Sequence, residues 1–416
     1  DRWRQAGNPG WGWDDVLPCF RRSERHYGPA DDHHGDRGEM RVAQQRLRWP
    51  ILEAVAEAAQ EMGLPACADF NRGDNEGVGY FPVTQRRGLR WNARKAFLDP
   101  VRGRPNLRIE TDAQVRRLTF AGRRAAGVIF TQGGRQRLAR VRSEIVLAAG
   151  AINSPALLEL SGIGQAGRLA GLGIAPIHDL PGVGENLQDH LQLRMVFRIS
   201  GAKTLNDRAR GLLGKAGIAL EYALRRSGPM SMAPSQLGIF AKSSEAFETA
   251  NIEYHVQPLS LDRFGEPLHD FPGLTVSVCN LRPESAGAVH VTSNDPGAAP
   301  AIAPRYLSAP ADRQVMAPAR MSAFQPQELK PGPDLTSDAD LIRAAGDVGT
   351  TIFHPVGTTK MGTDPMAVVD PELRVHGIGG LRVVDAGIMP TIVSGNTHAP
   401  VTMIAEKAAR MILPSP

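Results

Sequence analysis

Apolar residues recur at helical spacing in several parts of the chain. Between Trp49 and Met62 they occupy one helical face, and Gly63 follows as a stop signal, so a helix is predicted there. The apolar members of that face are Ile51, Leu52, Val55, Ala58 and Ala59. A short helix is also predicted over 13–23, within an otherwise loop-like segment, and a last helix over 399–412.

Short β-type segments separated by glycine turns begin near residue 106. The predicted strands span 107–110, 115–120, 127–131 and 137–141. Gly122 and the pair Gly133-Gly134 supply the turns. This arrangement predicts an antiparallel meander.

The meander leads into a strand–helix unit. Residues 143–150 form a short apolar segment typical of a strand that is buried on both faces of a parallel sheet. Ser154-Pro155 then predicts an N-cap followed by proline at the first helical position, with the helix ending at Gly162.

The middle of the chain has a different pattern. From 191 to 347, alternating strands such as 251–257 and 275–280 are separated by Pro/Gly turns. This predicts a separate, mostly antiparallel sheet with helices, which would suit a substrate domain. With a further strand over 381–385, the predicted fold class is α/β of the mixed α+β kind.

Length and composition limit the class of protein. A chain of 416 residues exceeds what one hydrophobic core usually supports, so two domains are expected. Hydrophobic residues make up 42% and charged residues 22%, which is ordinary for a soluble globular protein. No stretch approaches the ~18 continuous apolar residues of a membrane span, so no integral membrane segment is expected.

The net charge of +5 raises the question of a nucleic-acid partner. The basic residues are mostly single arginines scattered among acidic ones, and the densest cluster, 135–142, has no interleaved aromatic residues to stack on bases. We therefore expect a solvated hairpin face there and no nucleic-acid partner.

Cysteine and histidine positions argue against two further classes of site. Three cysteines far apart, Cys19, Cys67 and Cys279, do not make a disulfide framework and indicate a reducing, cytoplasmic compartment. His33-His34 lies in a polar run with Asp31, Asp32 and Asp36. No helical or strand spacing brings these side chains together, so a flexible polar loop and no metal site are predicted.

Several segments together resemble the glucose-methanol-choline (GMC) oxidoreductases, flavoenzymes that oxidise alcohols. The matching segments are 150–155 continuing to 160–164, 181–190, 354–362, 381–390 and 394–400. They occur in the family's order and at plausible spacing. The bacterial branch that contains choline dehydrogenase and other alcohol dehydrogenases is the most similar.

The resemblance implies a domain arrangement. An FAD-binding, Rossmann-like domain would comprise 90–192 and 348–416, and a substrate-binding domain 36–89 and 193–347, with 1–35 as a connecting loop and helix. The family's first βαβ unit, with its Gly-x-Gly-x-x-Gly turn, is not found at the start of this chain, and Gly182 with Gly184 does not replace it. A truncated start is expected, with loss of tight flavin binding as the alternative. The connection between Gln314 and Glu328 is expected to be shorter than in the family.

The resemblance also implies the reaction. An FAD-dependent enzyme would oxidise a primary alcohol, choline-like or aliphatic/aromatic, to an aldehyde, with hydride transfer to flavin N5. His354 is the expected base, because a neutral imidazole suits removal of the hydroxyl proton near pH 7. His398 is its expected partner, at a position where the family has His or Asn. The alternatives are a buried structural histidine at 354 and a space-filling one at 398.

The same resemblance implies the cofactor contacts. They are Val115 at the adenine, Ala149 and Gly150 in the strand–helix turn, Asp385 and Ala386 near the ribityl and phosphate groups, and Asn396, Thr397 and His398 beside the flavin. A helix start there would stabilise the negative charge of the reduced flavin. The alternatives are a loop cap for Asp385, an ordinary N-cap or turn residue for Asn396 and a core residue for Val115.

Three functional questions stay open at this point. The chain is either an active flavoenzyme, a flavin-free fragment without redox activity, or a non-redox, hydroxynitrile-lyase-like member of the family. The electron acceptor is a quinone, another carrier or oxygen. Location is expected to be cytoplasmic, with peripheral attachment to the inner membrane as an option.

Overall fold

The computed structural model describes residues 1–263, 265–316, 327–332, 335 and 337–413. Most of the connection between 314 and 328, which was expected to be short, lies outside these residues. The predicted mixed α/β class is confirmed, since helices and strands alternate through the described ranges.

The helices include all of those expected from the apolar periodicity. They are α1 (Arg2–Gln5), α2 (Trp13–Ser23), α3 (Pro50–Glu61), α4 (Gly150–Leu160), α5 (Ala166–Gly171), α6 (Leu205–Arg208), α7 (Gly211–Arg225), α8 (Pro310–Met316), α9 (Asp338–Val348) and α10 (His398–Ile412). A π-helical turn at Arg94–Leu98 and 3₁₀ turns at Pro229–Ser231 and Ala386–Ile388 complete the helical segments of the described chain.

The strands are mostly short. They are β1 (Glu24–Arg25), β2 (Met40–Arg41), β3 (Gly77–Tyr80), β4 (Gln85–Arg86), β5 (Leu89–Arg90), β6 (Ala113–Ala121), β7 (Arg124–Gln132), β8 (Arg135–Arg140), β9 (Ile145–Leu147), β10 (Ile163–Gly164), β11 (His178–Asp179), β12 (Glu185–Leu187), β13 (Leu191–Arg198), β14 (Leu237–Ala241), β15 (Ile252–Gln257), β16 (Gly273–Asn280), β17 (Gly287–His290), β18 (Ala301–Ala303), β19 (Gln327–Lys330), β20 (Thr350–Thr351) and β21 (Leu381–Val383).

A seven-stranded antiparallel sheet forms the larger β-structure. Its order is β19-β13-β16-β15-β14-β3. The seventh strand, β20, pairs with the first two residues of β13, whereas β19 pairs with its last residues. The strands predicted over 251–257 and 275–280 are β15 and β16. The predicted face of α3 packs on this sheet through Leu52, Val55 and Ala59, which are all buried.

The predicted meander is confirmed as β6-β7-β8, and its last strand is exposed along its whole length. The basic cluster at 135–142 is therefore the expected solvated hairpin face. The strand predicted over 107–110 is wrong, because that segment is irregular and largely exposed, with Ile109 facing solvent. The apolar pattern predicted a strand there, but a strand also needs a neighbouring strand to hydrogen-bond with, and the sequence pattern does not provide one.

The parallel element is shorter and less buried than predicted. β9 pairs with β21 in parallel register, from Ile145 opposite Leu381 to Leu147 opposite Val383. Ile145 and Leu147 point into the core, whereas Val146 is 40% exposed. Burial on both faces is therefore wrong for β9, because side chains alternate along a strand and the described residues cover only one face.

Helix α4 begins at Gly150, four residues before the predicted N-cap, so Ser154 and Pro155 lie inside it. Gly150 takes a left-handed φ of +84°, which lets the chain turn from strand into helix at once. Pro155 has no N–H for the carbonyl of Ala151, and that carbonyl accepts instead from the Thr358 hydroxyl at 2.5 Å. A tertiary hydrogen bond thus replaces the helical one.

The first twenty residues pack into the same core as the parallel element. Trp3, Trp11, Val16 and Cys19 are buried there, against α10 and the 371–391 region. Trp3 Nε1 donates to the Thr391 carbonyl and Trp11 Nε1 to the Pro371 carbonyl, each at 2.9 Å. A segment predicted as a connection therefore contributes side chains to this core. The predicted division into two domains stays a prediction.

Two other findings bear on the sequence-based expectations. The three cysteines are free thiols. No helix within the described ranges is both long enough and apolar enough to cross a bilayer.

A buried ion pair joins α4 to the small sheet formed by β12, β17 and β18. His290 lies between two carboxylates, with Nδ1 2.8 Å from Glu159 and Nε2 3.0 Å from Glu185. Glu159 is fully buried and also accepts from the Val291 N–H at 2.8 Å. The hydrogen bond to Glu159 raises the pKa of His290, although burial and Arg168 oppose the rise.

We expect His290→Gln to destabilise the fold in a pH-dependent way. The folded pKa of His290 is raised, so its charged form contributes fully below the unfolded value of about 6.5 and is lost as pH rises through the folded pKa. The difference in unfolding free energy between wild type and variant should be roughly 1–3 kcal/mol at low pH. It should decrease as the pH rises through the folded pKa of His290. Denaturant unfolding from pH 5.5 to 8.5 measures this, and a pH-independent difference would contradict it.

Candidate active site

His354 follows β20 and is held from both sides by the backbone of 188–191. The Ile352 N–H donates to the His190 carbonyl at 3.2 Å, and Val356 exchanges two hydrogen bonds with Gln188 at 2.9 and 3.0 Å. The imidazole therefore projects from a short segment whose two ends are both hydrogen-bonded to the segment between β12 and β13.

Asp189 fixes this segment further through its buried carboxylate. One oxygen accepts from the N–H groups of His190, at 2.9 Å, and His354, at 3.0 Å. The other accepts from the hydroxyls of Tyr306 and Thr351, both at 2.5 Å. Four donors satisfy this charge without a cation, and two of them are the backbones of the paired histidines.

Phe353, directly before the histidine, adopts a left-handed φ of +66°. Its N–H donates to the Thr351 hydroxyl at 2.8 Å, while its ring is exposed. Such a conformation costs about 1–2 kcal/mol for a residue with a Cβ, and the hydrogen bonds on either side hold it in place. The turn that presents His354 is thus determined by Asp189 and Thr351 together.

The side chains of His190 and His354 meet at Nδ1, 3.0 Å apart. His190 is fully buried, and burial, with the charge of His354 as a smaller cause, lowers its pKa to about 4. His190 is therefore neutral near pH 7. Its Nε2 lies 3.2 Å from the Leu281 carbonyl, which can only accept, so Nε2 carries the proton.

The tautomer of His354 follows from that assignment. Because Nδ1 of His190 has a lone pair, Nδ1 of His354 must donate to it, which leaves the lone pair of His354 on Nε2. Burial lowers the pKa of His354, although Glu253 and Asp189 oppose the change. The hydrogen bonds therefore present a neutral imidazole whose basic Nε2 accepts no hydrogen bond from the described residues.

A charged pair lies behind these histidines. Glu253 and His255, two residues apart on β15, are buried with 2.9 Å between Oε1 and Nε2. Burial is the largest single effect and would lower the pKa of His255, but the charge of Glu253 and its hydrogen bond to His255 together outweigh burial, so the net shift is upward. The charge of Glu253 also favours protonation of His190 and His354.

Sequence reasoning did not assign roles to Asp189, His190, Glu253 or His255. The first two lay in the segment 181–190 that carried the family resemblance, which was a usable signal. Glu253 and His255 alternate with apolar residues on a predicted strand, so two ionisable groups fall on one face of a buried sheet. That pattern was a weaker signal.

Ala149, Gly150 and Asp385 meet where α4 begins. Asp385 is buried and accepts from the Gly150 N–H at 2.9 Å, the Ser154 hydroxyl at 2.5 Å and the Gly387 N–H at 2.8 Å. Burial raises its pKa, and these hydrogen bonds oppose the rise. Its side chain therefore caps the loop and the helix start, as the alternative interpretation held, while Ala149 is exposed.

The segment after His354 crosses this same region. Gly357 N–H donates to the Ala386 carbonyl at 3.2 Å, and Thr359 N–H to the Gly387 carbonyl at 2.9 Å. The Gln188 side chain continues the connection, since it donates to the Pro390 carbonyl at 3.0 Å and accepts from Ile392 N–H at 3.1 Å. The base candidate and the predicted cofactor residues Ala149, Gly150, Asp385 and Ala386 thus belong to one hydrogen-bonded assembly.

Asn396, Thr397 and His398 form the start of α10. Among the described residues no side chain caps this helix, and Asn396 and His398 are exposed, so its first backbone N–H groups have no side-chain partner there. The ring of His398 is nonetheless surrounded closely enough that desolvation, and then the charge of Arg90, lowers its pKa. The hydrogen bonds and ring contacts of the described residues do not join His398 to His354, so their meeting across a cavity stays a prediction.

Val115 is half-buried on β6, which is tied to the last turn of α4 by the bond from Leu118 N–H to the Ser161 hydroxyl at 2.8 Å. Its role as an adenine contact stays a prediction.

The polar run at 31–36 differs from the flexible loop predicted for it. His34 is buried, with Nδ1 2.8 Å from Glu24 and Nε2 2.9 Å from Asp69, and its ring stacks on that of His26. Sequence spacing missed this because its partners come from positions 10 and 35 residues away.

Comparisons with known proteins match the chain to one family over most of its length. A family model described as GMC oxidoreductase matches in its N-terminal part over 1–192 and in its C-terminal part over 283–405. The chain is 37% identical to an alcohol dehydrogenase (acceptor) of Pseudomonas putida, over 99% of this chain and 77% of that protein. It is 39% identical to an oxygen-dependent choline dehydrogenase of Burkholderia mallei, over 99% and 75%. Among solved structures, a formate oxidase of Aspergillus oryzae gives a TM-score of 0.91 at 27% identity, over 99% of this chain and 80% of that one.

The tautomer assignment can be measured directly. In a chain labelled with ¹⁵N in histidine, we expect two-bond correlation spectra at pH 7.5 to show His190 protonated on Nε2 and His354 on Nδ1. His190→Phe removes the acceptor but keeps the bulk, so His354 should then populate both tautomers. His354→Ala assigns the signal, and His376→Ala serves as a distant control. A wild-type His354 protonated on Nε2 would overturn the assignment.

Proposed function

Because the chain belongs to the GMC oxidoreductase family, we propose that it is an FAD-dependent oxidoreductase that acts on CH–OH groups and oxidises a primary alcohol to an aldehyde. The observation that carries this proposal is the pair His190–His354, which leaves a neutral imidazole whose basic Nε2 has no hydrogen-bond partner within the described part of the chain. An alcohol oxidation needs such a group to accept the hydroxyl proton.

His354 is the proposed base. Its lowered pKa keeps the imidazole neutral near pH 7, and the bond to His190 keeps the proton off Nε2. When Nε2 accepts the substrate proton, the new positive charge on His354 is stabilised by the nearby carboxylates Asp189 and Glu253, which already favour its protonated form. The base is therefore set to take up a proton and later release it.

His398 is the proposed second group on the substrate oxygen. Its pKa is lowered, so near pH 7 it is neutral and offers one donor and one acceptor. A donor directed at the alcohol oxygen would stabilise the alkoxide that develops as the proton leaves.

FAD is the proposed cofactor, and the residues present fit it in part. When bound, FAD accepts the hydride from the carbinol carbon. The uncapped start of α10, at Asn396, Thr397 and His398, offers N–H groups and positive partial charge suited to a flavin ring. At the start of α4, Gly150 leaves open space where a Cβ would lie, beside the exposed Ala149. Asp385 and Ala386 would contribute backbone groups, since the carboxylate of Asp385 is already occupied.

The substrate and acceptor classes rest on the relatives. A small alcohol and an electron acceptor are implied by the alcohol and choline dehydrogenases to which the chain is similar. We propose a dehydrogenase that passes electrons to a quinone or another carrier, with oxygen as the alternative acceptor. We propose a cytoplasmic enzyme that attaches peripherally to the inner membrane.

Activity and pH dependence test the role of His354. The purified chain is titrated with FAD, followed by its absorbance, and dye-linked oxidation is measured over a panel of primary alcohols. We expect His354→Ala to lower kcat/KM by about 10²–10⁴-fold with unchanged flavin content, and His376→Ala to leave both unchanged. In wild type, kcat/KM should rise with pH through a base pKa below about 6.5, because the pKa of His354 is lowered.

The other two functions predict different outcomes. A chain that binds no FAD and oxidises no alcohol in the panel would favour a flavin-free protein. Cyanohydrin cleavage without dye reduction would favour lyase chemistry. A flavin-loaded His354→Ala variant as active as wild type would remove His354 from the mechanism while leaving the redox assignment standing.

A further inference from the structure

Helix α7 exposes an apolar surface that a soluble protein would normally bury. None of its fifteen residues is buried. Leu212 is 87% exposed, Leu213 91%, Leu220 59% and Leu224 75%. Scattered single leucines on a surface are ordinary, but four on one helix form a contiguous patch.

The leucines follow helical spacing. Leu213, Leu220 and Leu224 stand at i, i+7 and i+11, which places them within about 20° of one line on a helix with 3.6 residues per turn. The exposed small residues Ala216, Gly217, Ala219 and Ala223 lie beside them. The outward half of α7 thus carries no charged side chain, and we call it the leucine face.

The opposite half of α7 is bound to the protein, so the outward direction of the leucine face is fixed. Glu221 forms an ion pair with Arg208 at 2.7 Å, and the Tyr222 hydroxyl donates to the Gly88 carbonyl at 3.3 Å. At the helix end, a Cβ on Gly88 would lie 1.9 Å from the Arg226 carbonyl, which shows how closely the β4–β5 hairpin approaches.

Basic residues lie on α7 and on the hairpin that contacts it. Exposed cationic side chains on α7 and on the hairpin are Lys215, Arg225, Arg226, Arg86, Arg87 and Arg90. Glu221 is the one acidic residue in the α7 sequence, and it is already paired with Arg208. An apolar stripe on a helix whose other exposed residues are mostly cationic is suited to the surface of an anionic bilayer.

We propose that the leucine face and the cationic side chains of α7 and its neighbouring hairpin dock this protein onto an anionic lipid surface. The leucines would enter the region between headgroups and acyl chains, while the arginines and Lys215 would pair with lipid phosphates. A second copy of this chain is a poorer occupant, because a two-fold contact through the same patch would bring like charges together across the interface.

The docking surface adjoins the candidate active site. Arg90 ends the hairpin, and its carbonyl accepts from Lys95 at 2.8 Å, close to the start of the π-helical turn. Its charge acts on His398, where it lowers the pKa after the larger effect of burial. If the proposed function holds, a lipid-soluble alcohol or quinone would reach the His398 side of the site directly from the bilayer.

Vesicle binding tests the proposal without any assay of activity. The full chain is incubated with large vesicles of phosphatidylcholine alone or mixed equally with phosphatidylglycerol, and bound protein is separated by flotation. We expect binding to the mixed vesicles, little binding to the neutral ones, and weaker binding as salt rises from about 0.1 to 0.5 M.

Two double variants and one control assign the binding to α7. Leu213→Gln with Leu224→Gln should lower the bound fraction about tenfold, because apolar area drives insertion. Lys215→Gln with Arg225→Gln should remove most of the preference for anionic vesicles. Leu138→Gln is the matched control, since it also removes an exposed leucine among arginines, on β8, and should bind like wild type. Circular dichroism and thermal unfolding check that each variant is folded.

Each other result would overturn the docking proposal. These results are no binding of wild type, equal binding to neutral vesicles, undiminished binding of the leucine variant, or a dimer in ultracentrifugation that this variant dissociates. FAD binding and oxidation with a soluble dye are measured on the same samples without vesicles. Failure of vesicle binding with intact oxidation would sink the docking surface alone, whereas absent oxidation with intact vesicle binding would sink the proposed function alone.

Discussion

The arrangement of the site depends on one buried carboxylate. Asp189 holds the backbones of His190 and His354 with one oxygen and the hydroxyls of Tyr306 and Thr351 with the other. These bonds fix the left-handed turn at Phe353, the approach of the two imidazoles and therefore the nitrogen that carries each proton. A site built around a carboxylate that accepts four hydrogen bonds is rigid. If any donor moved away, it would leave a carboxylate lone pair without a partner in the protein interior.

The two cores meet at this point. His354 follows a strand of the seven-stranded sheet, while the residues after it cross the ends of β21 and α4. Gln188 extends the same connection to the loop before α10 through Pro390 and Ile392. Groups that are distant in sequence thus share one polar framework, and the large apolar cores on either side keep it from shifting.

Sequence patterns predicted most of the regular structure and only part of the site. The face of α3, the meander and strands β15 and β16 followed from local periodicity, because each depends on residues near in sequence. The early start of α4, the exposed Val146 and the irregular 107–110 did not, since they depend on what packs there. His354 and His398 were predicted as site residues through motifs. The position of the proton on His190, in contrast, follows from the carbonyl of Leu281, which no local pattern places beside it.

Pro155 shows how a local weakness in a helix supports a distant segment. A residue with an N–H at this position would close the helical bond to Ala151 and so compete with Thr358 for that carbonyl. A substitution of Pro155 by a residue of higher helix propensity would then weaken the hydrogen bond that holds the segment after His354. Replacing this proline to raise thermal stability would therefore reduce the precision with which the proposed base, His354, is positioned.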